Sequence, residues 1–145
     1  MKGMSIIVKT VTRIMSGVIF IYGIYIILHG HLTPGGGFAG GAIVAGALML
    51  LVLAFGNDVL NLKLKETGSS MFESISLLVF ITIALLGFGL GINVFFNNYL
   101  PKGTLGELIS AGTIPLYNIA IGVEVAAALF TIFLALIIFK EEVRS

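Results

Sequence analysis

Four long apolar runs leave this chain few ways to fold. The second, residues 38–55, has no charge at all, and as a helix it would reach about 27 Å at 1.5 Å per residue. The first is uncharged over 14–28, and its apolar residues begin at Ile6. The third extends from Glu73 or Ile75 to Phe96, and the fourth from Leu116 to Phe139, interrupted only by Glu124. A bilayer core of about 30 Å needs roughly 20 helical residues. Only 10% of the 145 residues are charged and 58% are hydrophobic, whereas a water-soluble domain carries about 25% charge. The expected fold is all-α: one integral membrane domain over 1–145, with four transmembrane helices near 6–28, 38–55, 74–96 and 116–139. These would form two hairpins.

Charge placement predicts orientation. Lys2, Lys9, Arg13, Lys63, Lys65, Lys140 and Arg144 fall on one side of such a topology, and only Lys102 on the other. Cytoplasmic segments are the Lys- and Arg-rich ones, so both termini are expected in the cytoplasm. The basic start followed by an apolar run also fits a cleaved signal peptide. No small-residue cleavage site follows, and removal would leave an odd number of spans, so the segment is read as span one. Residues 56–72 are expected to be a polar loop turning at Gly68-Ser69-Ser70. Residues 97–114 form either an outer surface loop or a segment dipping into protein-lined space.

The sharpest local feature is His29-Gly30-His31-Leu32-Thr33-Pro34-Gly35-Gly36-Gly37-Phe38-Ala39-Gly40-Gly41. Pro34 suits a turn or the start of a helix, so the stretch is a corner between spans one and two. Gly37, Gly41 and Ala45 recur every four residues, a flat ridge of the kind membrane helices use to pack closely on protein. Gly87 and Gly91 make a second, shorter one.

Several motifs could carry chemistry. Gly35-x-Gly37-x-x-Gly40 spells a dinucleotide fingerprint, but that motif works between a strand and a soluble helix, with its acid nearby. Asp58, the acid at roughly the right spacing, would lie across the membrane, so the match is rejected. His29 and His31 are weak metal candidates: a site needs three or four ligands, and the chain has no cysteine and no further histidine. No cofactor is expected, nor any nucleic-acid partner at a net charge of +1. Glu73 and Arg13 are placed at helix ends, where they can reach water.

Glu124 differs, because a carboxylate inside an apolar span costs about 3 kcal/mol and such residues face protein or a water-filled cavity. Helical spacing puts Ala120, Ile121, Ala127, Ala128 and Thr131 on its face. Leu129, Phe130, Phe133, Leu136 and Ile137 are assigned to lipid. Glu124, Thr131 and Asn118 form the candidate ion-pathway set, with pairing to a neighbouring helix as the structural alternative for Glu124.

The corner, Thr33-Pro-Gly-Gly-Gly-Phe-Ala-Gly-Gly41, and a second motif, Gly112-Thr-Ile-Pro-Leu-Tyr-Asn-Ile-Ala-Ile-Gly122, together resemble the B-subunit type of Mrp (Mnh) multi-subunit sodium/proton antiporters. The resemblance extends over nearly the whole chain. It implies that Thr33, Pro34, Gly35, Gly36, Gly37, Gly40, Gly41, Gly112 and Pro115 are helix-packing and motif positions. It transfers no ion role to Glu124. It further implies a non-catalytic subunit of the prokaryotic plasma membrane, working with other membrane subunits, with sodium and protons as the transported ions. The host is either an antiporter or the antiporter-like arm of a membrane-bound hydrogenase. From the residues themselves, too few ionisable groups lie inside the membrane for a complete proton relay. A stand-alone proton-coupled exporter and a purely structural assembly subunit are the alternatives.

Overall fold

The computed structural model describes residues 4–56, 62–89, 96, 98–104, 106–107 and 110–143, the side chains of 62–65 and 141–142 excepted. Four helices make up these residues: α1 (Ile6–Leu28), α2 (Gly36–Phe55), α3 (Leu62–Gly89) and α4 (Ile114–Glu142). All four are long and apolar enough to cross a membrane.

α1 packs on α2, α2 on α4, and α4 on α3, so α2 and α4 are the central pair. Residue pairing gives the directions. Met4 N–H donates to the Ala54 carbonyl at 3.0 Å, while Gly23 lies on Gly40 and Val44, so α1 and α2 are antiparallel. Gly37 meets Asn118 and Gly41 meets Gly122, so α2 and α4 are parallel. Ser69 donates to the Ala127 carbonyl at 2.9 Å and Phe80 packs edge-on against Tyr117, which makes α3 and α4 antiparallel.

The corner turns as Pro34 and the glycines dictate. Thr33 closes it by donating both its N–H and its hydroxyl to the His29 carbonyl, at 2.9 and 3.1 Å. Gly35 then takes φ +121°, a conformation that only glycine adopts without strain, and α2 begins at the next residue. Its two glycine faces serve two neighbours. A Cβ on Gly41 would sit 2.5 Å from the Gly122 carbonyl, and one on Gly40 would sit 2.8 Å from the Gly23 carbonyl. Backbones this close gain dispersion contacts along their length, the main attraction between helices in lipid. Further along, Leu48 and Val52 meet Phe130, Leu134 and Ile137. Small residues at one end and large ones at the other require the α2–α4 spacing to widen along the pair.

The Gly37/Gly41 ridge finds its protein neighbour within the chain, in α4. Two expectations change. Phe130 and Ile137, assigned to lipid, are both only 8% exposed, because α4 lies between two helices and so has two protein-facing sides. Leu136, at 64%, does point outward. Finally, α3 begins at Leu62, so Gly68-Ser69-Ser70 is helix rather than a turn, and Glu73 lies three turns inside it instead of at its end. Tertiary packing outweighs the weak helix propensity of Gly and Ser here; Ser69 is held to α4 by its hydroxyl. Of the second ridge, Gly87 is buried and Gly91 lies outside the described residues.

Candidate ion-pathway site

Several polar side chains line one side of the α3–α4 seam. Glu66, Ser70 and Ser74 recur every four residues on α3, and with Thr67 and Thr131 they line a cleft of about 530 Å³. A smaller space of about 90 Å³ continues the seam between Ser76, Phe80, Ala120, Ile121 and Glu124. Thr131 and Glu124 are two helical turns apart, about 10 Å along α4. The hydroxyls are anchored in place: Thr131 donates to the Ala127 carbonyl at 2.9 Å, Ser74 to Ser70 at 3.1 Å, and Ser76 to Glu73 at 2.9 Å. Each hydroxyl oxygen keeps lone pairs beyond the one proton it donates. The seam therefore presents carboxylate and hydroxyl oxygens, the ligand type that hard cations take.

Asn118 does not belong to this seam. It points to α2, where its Oδ1 accepts from Gly37 N–H at 3.4 Å, and its amide lies against Gly30 and Gly36. It clamps the corner onto α4. Its Nδ2 is buried without a hydrogen-bond partner among the described residues, as are His31 Nδ1 and the Tyr117 hydroxyl. The candidate set thus divides, with Glu124 and Thr131 facing α3 and Asn118 facing α2. Pro115 sits in the first turn of α4, where its missing N–H is no loss.

The histidines face backbone. His29 Nδ1 is 3.0 Å from the Tyr25 carbonyl and its ring stacks on Tyr25. His31 Nε2 is 3.2 Å from the Glu107 carbonyl, tying the corner to the segment before α4. Among the described residues no three His, Cys, Asp or Glu side chains converge on one point.

Asn98 organises that segment. Its amide donates to the Ala111 carbonyl at 3.0 Å, and its Oδ1 accepts from the Thr113 N–H at 2.9 Å and hydroxyl at 3.3 Å. Gly112 passes beneath it at φ +62°, and a Cβ there would collide with the Asn98 amide. Removing the amide strands buried groups around Thr113, which is 1% exposed. Asn98→Ala should therefore cost about 1–3 kcal/mol, read as a lower midpoint of thermal unfolding in detergent.

The sequence reading missed Glu66, Ser70, Ser74 and Asn98. For the first three a signal existed, their i, i+4, i+8 spacing, obscured by treating Gly68-Ser69-Ser70 as a turn. Asn98 had no local signal.

Among the described residues these features define a four-helix membrane protein with a polar seam and a glycine-packed centre. Residues 7–131 match the family described as a domain related to the MnhB subunit of Na+/H+ antiporter, and the chain belongs to that family. It is 32% identical over 137 residues to the "putative antiporter subunit mnhB2" of Staphylococcus haemolyticus, covering 94% of this chain and 96% of that one. An uncharacterized protein of Methanocaldococcus jannaschii is 36% identical over 130 residues, which are 86% of this chain and 49% of the other. Among solved structures, a chain of the membrane-bound sulfane sulfur reductase, an archaeal respiratory membrane complex, superposes with a TM-score of 0.70 at 31% identity. The match covers 88% of this chain and 56% of that one. The chain thus spans about half the length of the Methanocaldococcus protein and of the reductase-complex chain. It is a multi-pass protein of the plasma membrane.

Proposed function

We propose that this chain is a non-catalytic accessory subunit of a sodium/proton-translocating complex, and that its α3–α4 seam helps to form or seal the sodium path. The observation that carries this reading is the row of Glu66, Ser70, Ser74 and Thr131 in an open cleft between α3 and α4, with Glu124 further along the same seam. Polar oxygens at membrane depth are costly in lipid and are covered by protein or line a water-filled cavity. A partner subunit closing the cleft would turn it into an enclosed, oxygen-lined passage. Family membership supports the antiporter setting, and the likeness to the sulfane sulfur reductase chain extends it to respiratory complexes, whose redox chemistry would reside in other subunits.

The test is Thr131→Leu in the assembled complex, which fills the cleft with an apolar side chain. Sodium-dependent transport in vesicles should fall several-fold while complex yield after mild detergent extraction stays near wild type. Undiminished transport at full yield would remove the seam from the ion path.

In this reading the α1–α2 and α3–α4 pairs are hairpins inserted with both termini in the cytoplasm. The chain lacks cysteine, so single cysteines report cleanly. One at Thr104 should react with an impermeant thiol reagent on intact cells and one at Val143 should not; both positions are exposed. The reverse pattern would invert the orientation drawn from the Lys and Arg distribution.

A further inference from the structure

A second depression has the opposite chemistry. α1 and α3 do not touch among the described residues, and between them runs a trough of about 550 Å³ floored by α2 and α4. Phe20 and Ile24 form one wall, Phe72 the other, and Leu48, Val123 and Phe130 contribute to the base. Among the described residues its one hydroxyl, on Ser69, already donates to the Ala127 carbonyl, so the lining is almost wholly apolar. The volume is that of a site for one small molecule, about 300–1,000 Å³.

The wall on α1 continues towards the start of the helix. Arg13 shares a face with Phe20, Ile24 and Ile27, and Lys9 lies one turn further. Both cations sit over the Phe55 ring at the end of α2, the Arg13 guanidinium 5.2 Å and the Lys9 ammonium 5.9 Å from its centroid. Phe20 is seven residues beyond Arg13, about 10 Å along the helix, and half a hydrocarbon core is about 15 Å. With the trough at acyl-chain depth, side chains as long as those of Arg13 and Lys9 can carry their charges to the headgroups along the same helix.

From this alignment we infer that the trough is a binding site for one anionic phospholipid. An acyl chain lies between α1 and α3, and the phosphate is held by Arg13 and Lys9. Basic residues at a membrane surface attract anionic headgroups, and the apolar trough supplies the second half of the recognition. The lipid fills the gap that α1 and α3 leave over the central pair.

The assembled complex, extracted in mild detergent, is offered phosphatidylglycerol or phosphatidylcholine and the retained lipid is read by native mass spectrometry. Phosphatidylglycerol should be retained preferentially. The double variant Lys9→Gln, Arg13→Gln should lower its retention on the order of tenfold and leave phosphatidylcholine unchanged. Val123→Trp, at a half-exposed trough position, should expel both lipids. Equal retention of the two lipids by the wild type, or phosphatidylglycerol retention indifferent to the double variant, would overturn the assignment. A photo-crosslinking residue at Ile24 in the intact complex should yield a lipid adduct. An adduct with another protein subunit would show a helix in the trough and equally overturn it.

Discussion

Gly41→Leu should all but eliminate folded protein. A Cβ alone at this position would stand 2.5 Å from the Gly122 carbonyl, 3.0 Å from the Val125 Cβ and 3.2 Å from the Ala126 N. Two of these three atoms are backbone, so no rotamer change relieves the collision. α2 and α4 would have to separate in the middle of their glycine contact, losing the backbone contacts that hold membrane helices together. Overpacking a core by extra methylenes usually costs about 1–3 kcal/mol; a leucine wedged between two backbones belongs above that range. Gly46→Leu is the matched control, because nothing lies within 4 Å of a Cβ there. Fluorescence-detected size-exclusion chromatography of a tagged chain should show a monodisperse peak for Gly46→Leu and loss of that peak for Gly41→Leu. Equal peaks would mean that the parallel α2–α4 contact is not what holds the protein together.

That contact also shows what the sequence could and could not disclose. Both motifs, 33–41 and 112–122, stand out when read along the chain, and the four-residue spacing of Gly37, Gly41 and Ala45 marks a packing ridge. Their mutual packing is invisible, because Gly37 and Asn118 lie far apart in the chain and nothing in either motif names its partner. Four spans were legible from long stretches without charge. The start of α3 was not: Gly68-Ser69-Ser70 has turn composition, yet the contact of Ser69 with α4 and the cleft lined by Ser70 and Ser74 exist only once the segment is helical. Glu124 stood out as the lone acid of its span. Its face was read as running toward Thr131, and α4 was given a single protein side. A helix between two neighbours has two, which is why Phe130 and Ile137 were sent to lipid.

Glu124 is where the transport and packing readings give different numbers. Its carboxylate borders the narrow space beside Ser76 and Phe80, on the line that leads from Thr131 and the oxygen-rich cleft. Glu124→Gln preserves the shape and most hydrogen-bonding capacity but cannot ionise; Glu124→Leu removes the polar group altogether and lowers the cost of membrane insertion. If the carboxylate meets sodium or passes a proton, both variants should assemble normally. Sodium-dependent transport would then fall about tenfold or more in each, equivalent to at least about 1.4 kcal/mol of barrier, with Gln no better than Leu. If it only bonds a partner helix, Gln should keep transport while Leu reduces complex yield, because the partner's polar group is left buried and unsatisfied at about 1–3 kcal/mol. Transport in vesicles and yield after mild extraction, measured on the same preparations, separate the two. Wild-type transport and yield in both variants would exclude Glu124 from both roles. The path would then have to run through Glu66, Ser70, Ser74 and Thr131 alone, and Thr131→Leu would become the decisive substitution.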